Sequence, residues 1–446
     1  MRNSNSNDLS NIAVSSLENL SRIAELPRHL ISDGYDEALS IIEEIARDKG
    51  LEYVCHSFPT GYDCGTWIIP EKWILKRALL KDKHDKIILD SDKDPLCCIS
   101  YSLPFKGKVS RDELISHLHT SAHCPEAMPF VFKYYNRDWG LCSQEEIKNS
   151  LNDDFYYVSI DSEFLTGELK VGEIIVKGKF EESFILASHL CHPFQVNDGP
   201  IGIFPTVEIL SKMSEKGTHY TFRQLIVPEN IGSAAWLSKN KKLIPKLKGG
   251  LFIEMIGTDL GLRLHHSFDR NTIVDKLTVD IMNKLSQDFI EDDFVYANDE
   301  RQFNGPGVKI PMLGFNRSYM SRKQKYLAAF DYYHSSFDNF DNINRKNYSD
   351  SIDILESIIS AYDCFLIKPV PNFIGEPFLS RYDLHIDSFE GIDNLKKANE
   401  IMDVLFKTGD NLTIFEISQC LQFPLHKTKD ILDMFEEKKL IHYYPF

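Results

Sequence analysis

The sequence predicts an α/β protein: a central domain of alternating strands and helices, a small β-rich unit ahead of it and a small helical module behind it. Three observations lead there. Short apolar runs alternate with amphipathic stretches between Tyr156 and Ile256. Residues 51–109 instead show short runs broken by Gly, Pro and Asp. Finally, a Pro-rich connector, Lys368 to Pro371, precedes three further helical stretches. With 446 residues, 43% of them hydrophobic, the chain can bury a core large enough for two or three domains.

Residues 1–10 read as a polar Ser/Asn tail. Helices are then expected over Ile12–Arg22 and Tyr35–Arg47, where Leu39, Ile42 and Ile45 recur at helical spacing. Strands are expected at Thr66–Pro70, Lys86–Leu89 and Cys98–Leu103. Ser110 can cap a helix, with Glu113 three residues on, that buries Leu114 and Leu118 before Pro125 and Pro129 end it. In the α/β part, strands are expected at Tyr156–Ile160, Glu173–Lys177, Phe184–Ala187, Phe222–Val227, Leu251–Ile256 and Ile310–Phe315, with helices over Ile203–Met213 and Asp350–Phe365. The tail shows helical stretches at 394–406, 412–420 and 425–437 and a final strand at Leu440–Tyr444, a pattern that suggests a winged helix. The expected organisation is therefore 1–50, N-terminal helices belonging to the α/β domain; 51–109, a small β-rich unit; 110–370, the α/β domain; and 371–446, a winged-helix-like domain.

Composition narrows the function classes. Fifty basic against 66 acidic residues give a formal net charge of −16, which repels a polyanion. The segment 391–446 itself holds seven lysines against nine carboxylates, so a DNA role for the winged module is disfavoured. The first residues, MRNSNSNDL, show no charged segment followed by an apolar one, and no stretch of about 18 uninterrupted apolar residues follows, so neither secretion nor membrane spanning is expected. Nine scattered cysteines without a CxxC pair fit free thiols in a reducing compartment. A cytoplasmic protein with no nucleic-acid or membrane partner is expected.

Chemistry concentrates in three segments. Phe184 to Gly202 (FILASHLCHPFQVNDGPIG) runs an apolar strand into a polar turn with His189, His192 and Asp198, residue types that bind zinc and similar cations. Strand C-terminal ends are where α/β sites form. Phe222 to Ser233 (FRQLIVPENIGS) delivers Glu229 at another strand end, as a general base or as a helix cap. Asp331 to Ile343 (DYYHSSFDNFDNI) offers His334 as a closing ligand, with Asp338 either orienting the imidazole and nearby amides or capping a helix. A fourth segment, Asp299 to Gly307, carries Arg301, which reads either as a two-point grip on a carboxylate or phosphate or as a surface turn. The cluster His117, His119, His123 and Cys124 is read as a partly exposed helix end rather than a ligand set.

Taken in order, LASH ending at His189, Asp198, PENIGS around Glu229 and YHSSFD around His334 resemble the motifs of zinc aminopeptidases and glutamate-carboxypeptidase-like exopeptidases over residues 155–370. SHLCHP at 188–193, DERQF at 299–303 and WGLC at 139–142 resemble more narrowly the bacterial aminopeptidase-like proteins associated with polysaccharide biosynthesis, from Leu26 to the C-terminus. The resemblance implies a three-layer, mixed-sheet zinc-exopeptidase-like domain with the β-rich unit inserted and a C-terminal winged helix. It also implies metal ligation by His189, Asp198 and His334, a bridging role for Asp198 and a base role for Glu229. Three positions depart from the family pattern. Asn230 stands where a second Glu is usual, Cys191 where a carboxylate usually orients the first imidazole, and Glu254 where a later Asp ligand is usual. One or two zinc ions are thus implied, with His192 a further ligand or an outer donor and Asn230 and Tyr333 near the substrate.

Two functions follow. One is an amide hydrolase of the aminopeptidase type, acting on a short peptide or on an acylated or aminoacylated sugar conjugate, with Glu229 as base. The alternative is a catalytically depleted metal-containing binding protein in polysaccharide biosynthesis. A homo-oligomer, or a protein partner met through the winged-helix module, is the remaining expected partner.

Overall fold

The computed structural model describes residues 6–285, 288–322, 328–386 and 391–446. Its centre is an eight-stranded mixed sheet in the order Glu52–Pro59, Glu168–Val176, Thr221–Val227, Ser183–His189, Leu247–Ile253, Met312–Asn316, Arg263–His265 and Ile290–Asp292. Thr221–Val227, Ser183–His189, Leu247–Ile253 and Met312–Asn316 are adjacent and parallel, so their C-terminal ends share one edge. Ser183–His189 is buried at every position, as befits a strand covered on both faces. Helices Ser6–Ala24, Ile203–Lys216, Ile273–Leu285 and Arg345–Phe365 pack on one another, while Asp33–Asp48 and Ile231–Lys239 pack against the strands. This is the mixed α/β architecture expected.

Strand partnership departs from the expected boundaries. Glu52–Pro59, expected in the β-rich unit, is the edge strand of the large sheet and pairs antiparallel with Glu168–Val176. Phe155–Leu165, expected in the central domain, instead joins a separate antiparallel sheet ordered Ile87–Asp90, Lys72–Lys81, Phe155–Leu165, Phe105–Ser110. The β-rich excursion therefore runs between two neighbours of the large sheet. A clasp closes its neck: Thr60 N–H donates to Gly167 O at 2.9 Å and Gly167 N–H to Thr60 Oγ1 at 3.0 Å. Alternation reveals a strand but not its partner, which is chosen by contacts far away in sequence. The runs 66–70 and 98–103 form only isolated bridges, Asp63 with Ile68, Cys98 with Leu141 and Ser100 with Phe132.

The helix capped by Ser110 spans Arg111–His117 and ends well before Pro125, so His119 and His123 share no helical face. His117 stacks on Trp139 at 4.0 Å, and His123 Nε2 meets the Tyr333 carbonyl at 2.9 Å. Of the polar tail expected over residues 1–10, the first five lie outside the described residues, and the chain is helical from Ser6. The connector Lys368–Pro371 was expected to continue neither element, yet it lies in a strand, Ile367–Pro371, that pairs antiparallel with Ile441–Pro445. A two-stranded ribbon is all edge, which is where proline is tolerated. Between the two strands lie helices Ile392–Lys407, Ile414–Leu421 and Leu425–Glu437. No helix among the described residues is long and apolar enough to cross a membrane.

Candidate metal centre

The shared edge of the parallel strands gathers the predicted residues. His189 ends its strand, and Glu229 and Glu254 follow the ends of the strands on either side. His189 Nε2 lies 3.1 Å from both Asp198 Oδ1 and Glu254 Oε2, and His334 Nε2 lies 3.0 Å from Asp198 Oδ2. His192 Nε2 stands 3.8 Å from Asp198 Oδ2 and 3.7 Å from Glu229 Oε2, which is itself 3.9 Å from His189 Nδ1. Three overlapping groups can each hold an ion: His189, Asp198 and Glu254; His192, Asp198 and His334; and His189, His192 and Glu229. Asp198 belongs to the first two.

Neighbouring segments fix these side chains. Asp338 is buried and accepts the Asn197 and Asp198 backbone N–H groups on its two oxygens, each at 2.8 Å, so it aims the Asp198 turn rather than an imidazole. A Cβ on Gly199 would lie 2.5 Å from His189 Cδ2, and its φ is +106°, so glycine alone lets the turn close over the ring. Phe194, Asn230, Met255 and His334 all adopt left-handed backbone, a cost that persists where surrounding structure dictates the geometry. Tyr333 stacks on His334 at 3.9 Å. Asn298 Nδ2 donates to Glu254 Oε1. Asn230 has no free end for a metal: its Nδ2 donates to Glu229 Oε1 at 2.9 Å and its Oδ1 accepts from Arg301 Nε at 2.7 Å. Cys191 takes the Glu229 backbone N–H on its sulfur at 3.2 Å.

The donor set fits a cation. His189 Nε2, Asp198 Oδ1 and Oδ2, Glu254 Oε2 and His334 Nε2 are buried and make no aligned hydrogen bond, although they approach one another closely. Donor atoms facing a common centre look like this. Asp198 and Glu254 are buried without a Lys or Arg partner among the described residues, so the charge balancing them is a histidinium or a bound cation. The acid–base directions follow. Burial opposes ionisation of Asp198, but His192, His189 and His334 hold it well below the usual carboxylate range. Burial pushes Glu254 up to about 7 and also raises Glu229, while it drives His192 well below the usual imidazole value, leaving a neutral ring able to act as a ligand.

Some contributors carry no local sequence signal. Arg28 is buried and donates to the backbone carbonyls of Leu190, His192 and Gln195 at 2.7–3.2 Å, bracing the turn that carries the ligands. Phe130, from the inserted unit, packs edge-on against His192 and His334 at 5.3 and 5.4 Å, and its N–H donates to His334 O at 2.7 Å. Beside the cluster opens a cavity of about 260 Å³ lined by Trp67, Phe132, Tyr134 and Tyr135 together with Glu229 and Arg301. A run of aromatics was visible in the sequence, but not its destination.

The mixed sheet, with imidazoles and carboxylates gathered at the ends of its parallel strands, has the fold of the zinc aminopeptidases. The comparisons agree: zinc aminopeptidase BSAP from Bacillus subtilis superposes with a TM-score of 0.58 at 12% identity, covering 78% of this chain and 94% of that one. Residues 18–364 match the family described as a domain of unknown function, DUF4910, and the chain belongs to that family. A Clostridium acetobutylicum protein, described as a polysaccharide biosynthesis protein with aminopeptidase-like domain, is 30% identical over 329 residues, 73% of this chain and 72% of that one. A crystal structure from the same organism, titled as a peptidase, has a TM-score of 0.82 at 24% identity and covers 98% of each chain.

Proposed function

We propose that the protein is a metal-dependent amide hydrolase of the aminopeptidase type, cleaving a short peptide or an acylated or aminoacylated sugar conjugate. One or two zinc ions would be held by His189, Asp198, Glu254 and His334, with His192 as an additional ligand. His192 takes the place that Asn230, committed to Glu229 and Arg301, leaves open. Zinc bound there supplies Lewis-acid polarisation of a carbonyl and lowers the pKa of water. Glu229 accepts the proton of the attacking water and returns it to the leaving amine. Its burial favours the protonated form, bringing the carboxyl closer to the pKa a proton shuttle needs at neutral pH.

The observation that carries this reading is the position of Glu229: its carboxylate touches the ligand imidazoles on one side and the cavity on the other. The test pairs metal content by mass spectrometry with turnover of a panel of amides. Glu229→Gln should retain its zinc and lose about 100- to 10,000-fold in kcat. Full turnover in that variant would overturn the base assignment.

A second reading, a metal-containing binding protein acting in polysaccharide biosynthesis, draws on Asn230 and Cys191, which stand where the resembled enzymes carry carboxylates, and on the name of the Clostridium relative. It predicts bound zinc with no turnover on any amide. For either reading we place the protein in the cytoplasm and regard the C-terminal module, read as a winged helix, as its contact with a protein partner or a second copy.

A further inference from the structure

Two features of the cavity beside Glu229 are not explained by hydrolysis alone. Arg301 is exposed, lines the cavity and, among the described residues, uses only Nε, bonded to Asn230 Oδ1 at 2.7 Å. Arg301 forms no ion pair with a described residue, in a chain of net charge −16. Its two terminal nitrogens remain as a planar fork, the geometry that matches a carboxylate. The second feature is the aromatic part of the lining, where Tyr135 is 57% and Phe132 39% exposed, with Ile68 at 55% next to Tyr135. Tyr135 is held in place, its hydroxyl donating to Ile68 O at 2.6 Å, and Phe132 stacks on Tyr134 at 4.7 Å. Exposed but immobilised aromatic surface beside a polar group marks a binding wall.

We propose that this cavity selects an amide bearing both a ring and a carboxylate, the ring lying on Trp67 and Tyr135 and the carboxylate gripped by Arg301. The assignment rests on the amide-hydrolase reading for the nature of the central bond. Asn230 bonds to both Arg301 and Glu229 and so sets the spacing between the anion fork and the base. A free ammonium is disfavoured by the guanidinium. A doubly charged phosphate is disfavoured by the Glu229 carboxyl group, which lines the same cavity as Arg301.

The test is calorimetric binding to the zinc-loaded protein, using N-benzoylglycine, its neutral isostere N-benzoylglycinamide, ring-less N-acetylglycine and the ammonium ligand phenylalaninamide. N-benzoylglycine should bind at least about tenfold more tightly than the other three. Arg301→Met should bring N-benzoylglycine within about twofold of its neutral isostere, Arg301→Lys should keep part of the preference, and Trp67→Ala should abolish the preference over N-acetylglycine. Two results would overturn the proposal: an undiminished preference in Arg301→Met, which places the carboxylate on the metal instead, or tightest binding of phenylalaninamide. Anion-selective binding with no turnover of any amide leaves this assignment standing and sinks hydrolysis. Turnover of amides without anion selectivity does the reverse.

Discussion

Two clusters of histidine and carboxylate lie at opposite ends of the same chemistry. Around His266, every group is satisfied: Nδ1 meets Asp275 at 3.0 Å, Nε2 meets Glu291 at 3.0 Å, and Asp275 also accepts from Ser267 and Thr272. Around Asp198, ring nitrogens and carboxylate oxygens crowd within 3.1 Å with no aligned hydrogen bond. The residue types are nearly the same. What separates a structural knot from a metal centre is whether the polar atoms already have partners.

The largest effect should come at the unsatisfied cluster. Asp198→Ala, which removes the carboxylate shared by two ligand groups, should abolish zinc binding measured by mass spectrometry. Asp275→Ala should leave metal content unchanged yet cost about 3 kcal/mol in chemical denaturation, since it strands a buried imidazole and the Ser267 and Thr272 donors. Zinc loss in Asp275→Ala would erase the distinction between the clusters. Next comes Asp338→Asn, which can accept only one of the two backbone N–H groups aiming the Asp198 turn. It should weaken zinc about 10- to 100-fold in a competitive chelator titration.

The smallest effect is a pH dependence. Burial opposes protonation of His266, but hydrogen bonds to Asp275 and Glu291 raise it above the ordinary imidazole value, while Asp275 is held below the ordinary carboxylate value. A raised folded-state His contributes stability that is complete below about pH 6.5 and is lost as pH rises through the folded value. A lowered Asp contributes above about pH 4, its unfolded value, and loses that contribution as pH falls through the folded one. The melting-temperature deficit of His266→Gln should therefore peak between about pH 4 and 6.5 and shrink above it. A deficit that grows with pH would reverse the assignment.

The same contrast explains what was legible beforehand. His189, Asp198, Glu229 and His334 could be read because each sits just after an apolar run or in a dense polar loop, and strand ends are where such residues become ligands. Helices such as Arg345–Phe365 were legible from their period, apart from their first turn. The position of His192 was not legible, because a second histidine in a turn has no direction until the backbone is folded; its ring lies between Asp198 and Glu229. Arg28 and Phe130 were invisible for a stronger reason: they act on residues more than 60 positions away, and nothing local encodes that. Phe155–Leu165 was recognised as a strand in its first half and assigned to the wrong sheet for the same reason.

The hydrogen-bonded neck between Thr60 and Gly167 lets the β-rich unit leave and re-enter the large sheet at almost the same point. Trp67, Phe132, Tyr134 and Tyr135 all lie inside that excursion, whereas His189, Asp198, Glu229, Glu254 and His334 lie outside it. The cavity is thus lined from two stretches of chain: its aromatic residues come from the excursion, and Glu229, Asn230 and Arg301 from the large-sheet domain. Because both ends of the excursion meet at that neck, changes in its aromatic residues can alter the cavity without moving the strand ends that carry His189, Glu229 and Glu254.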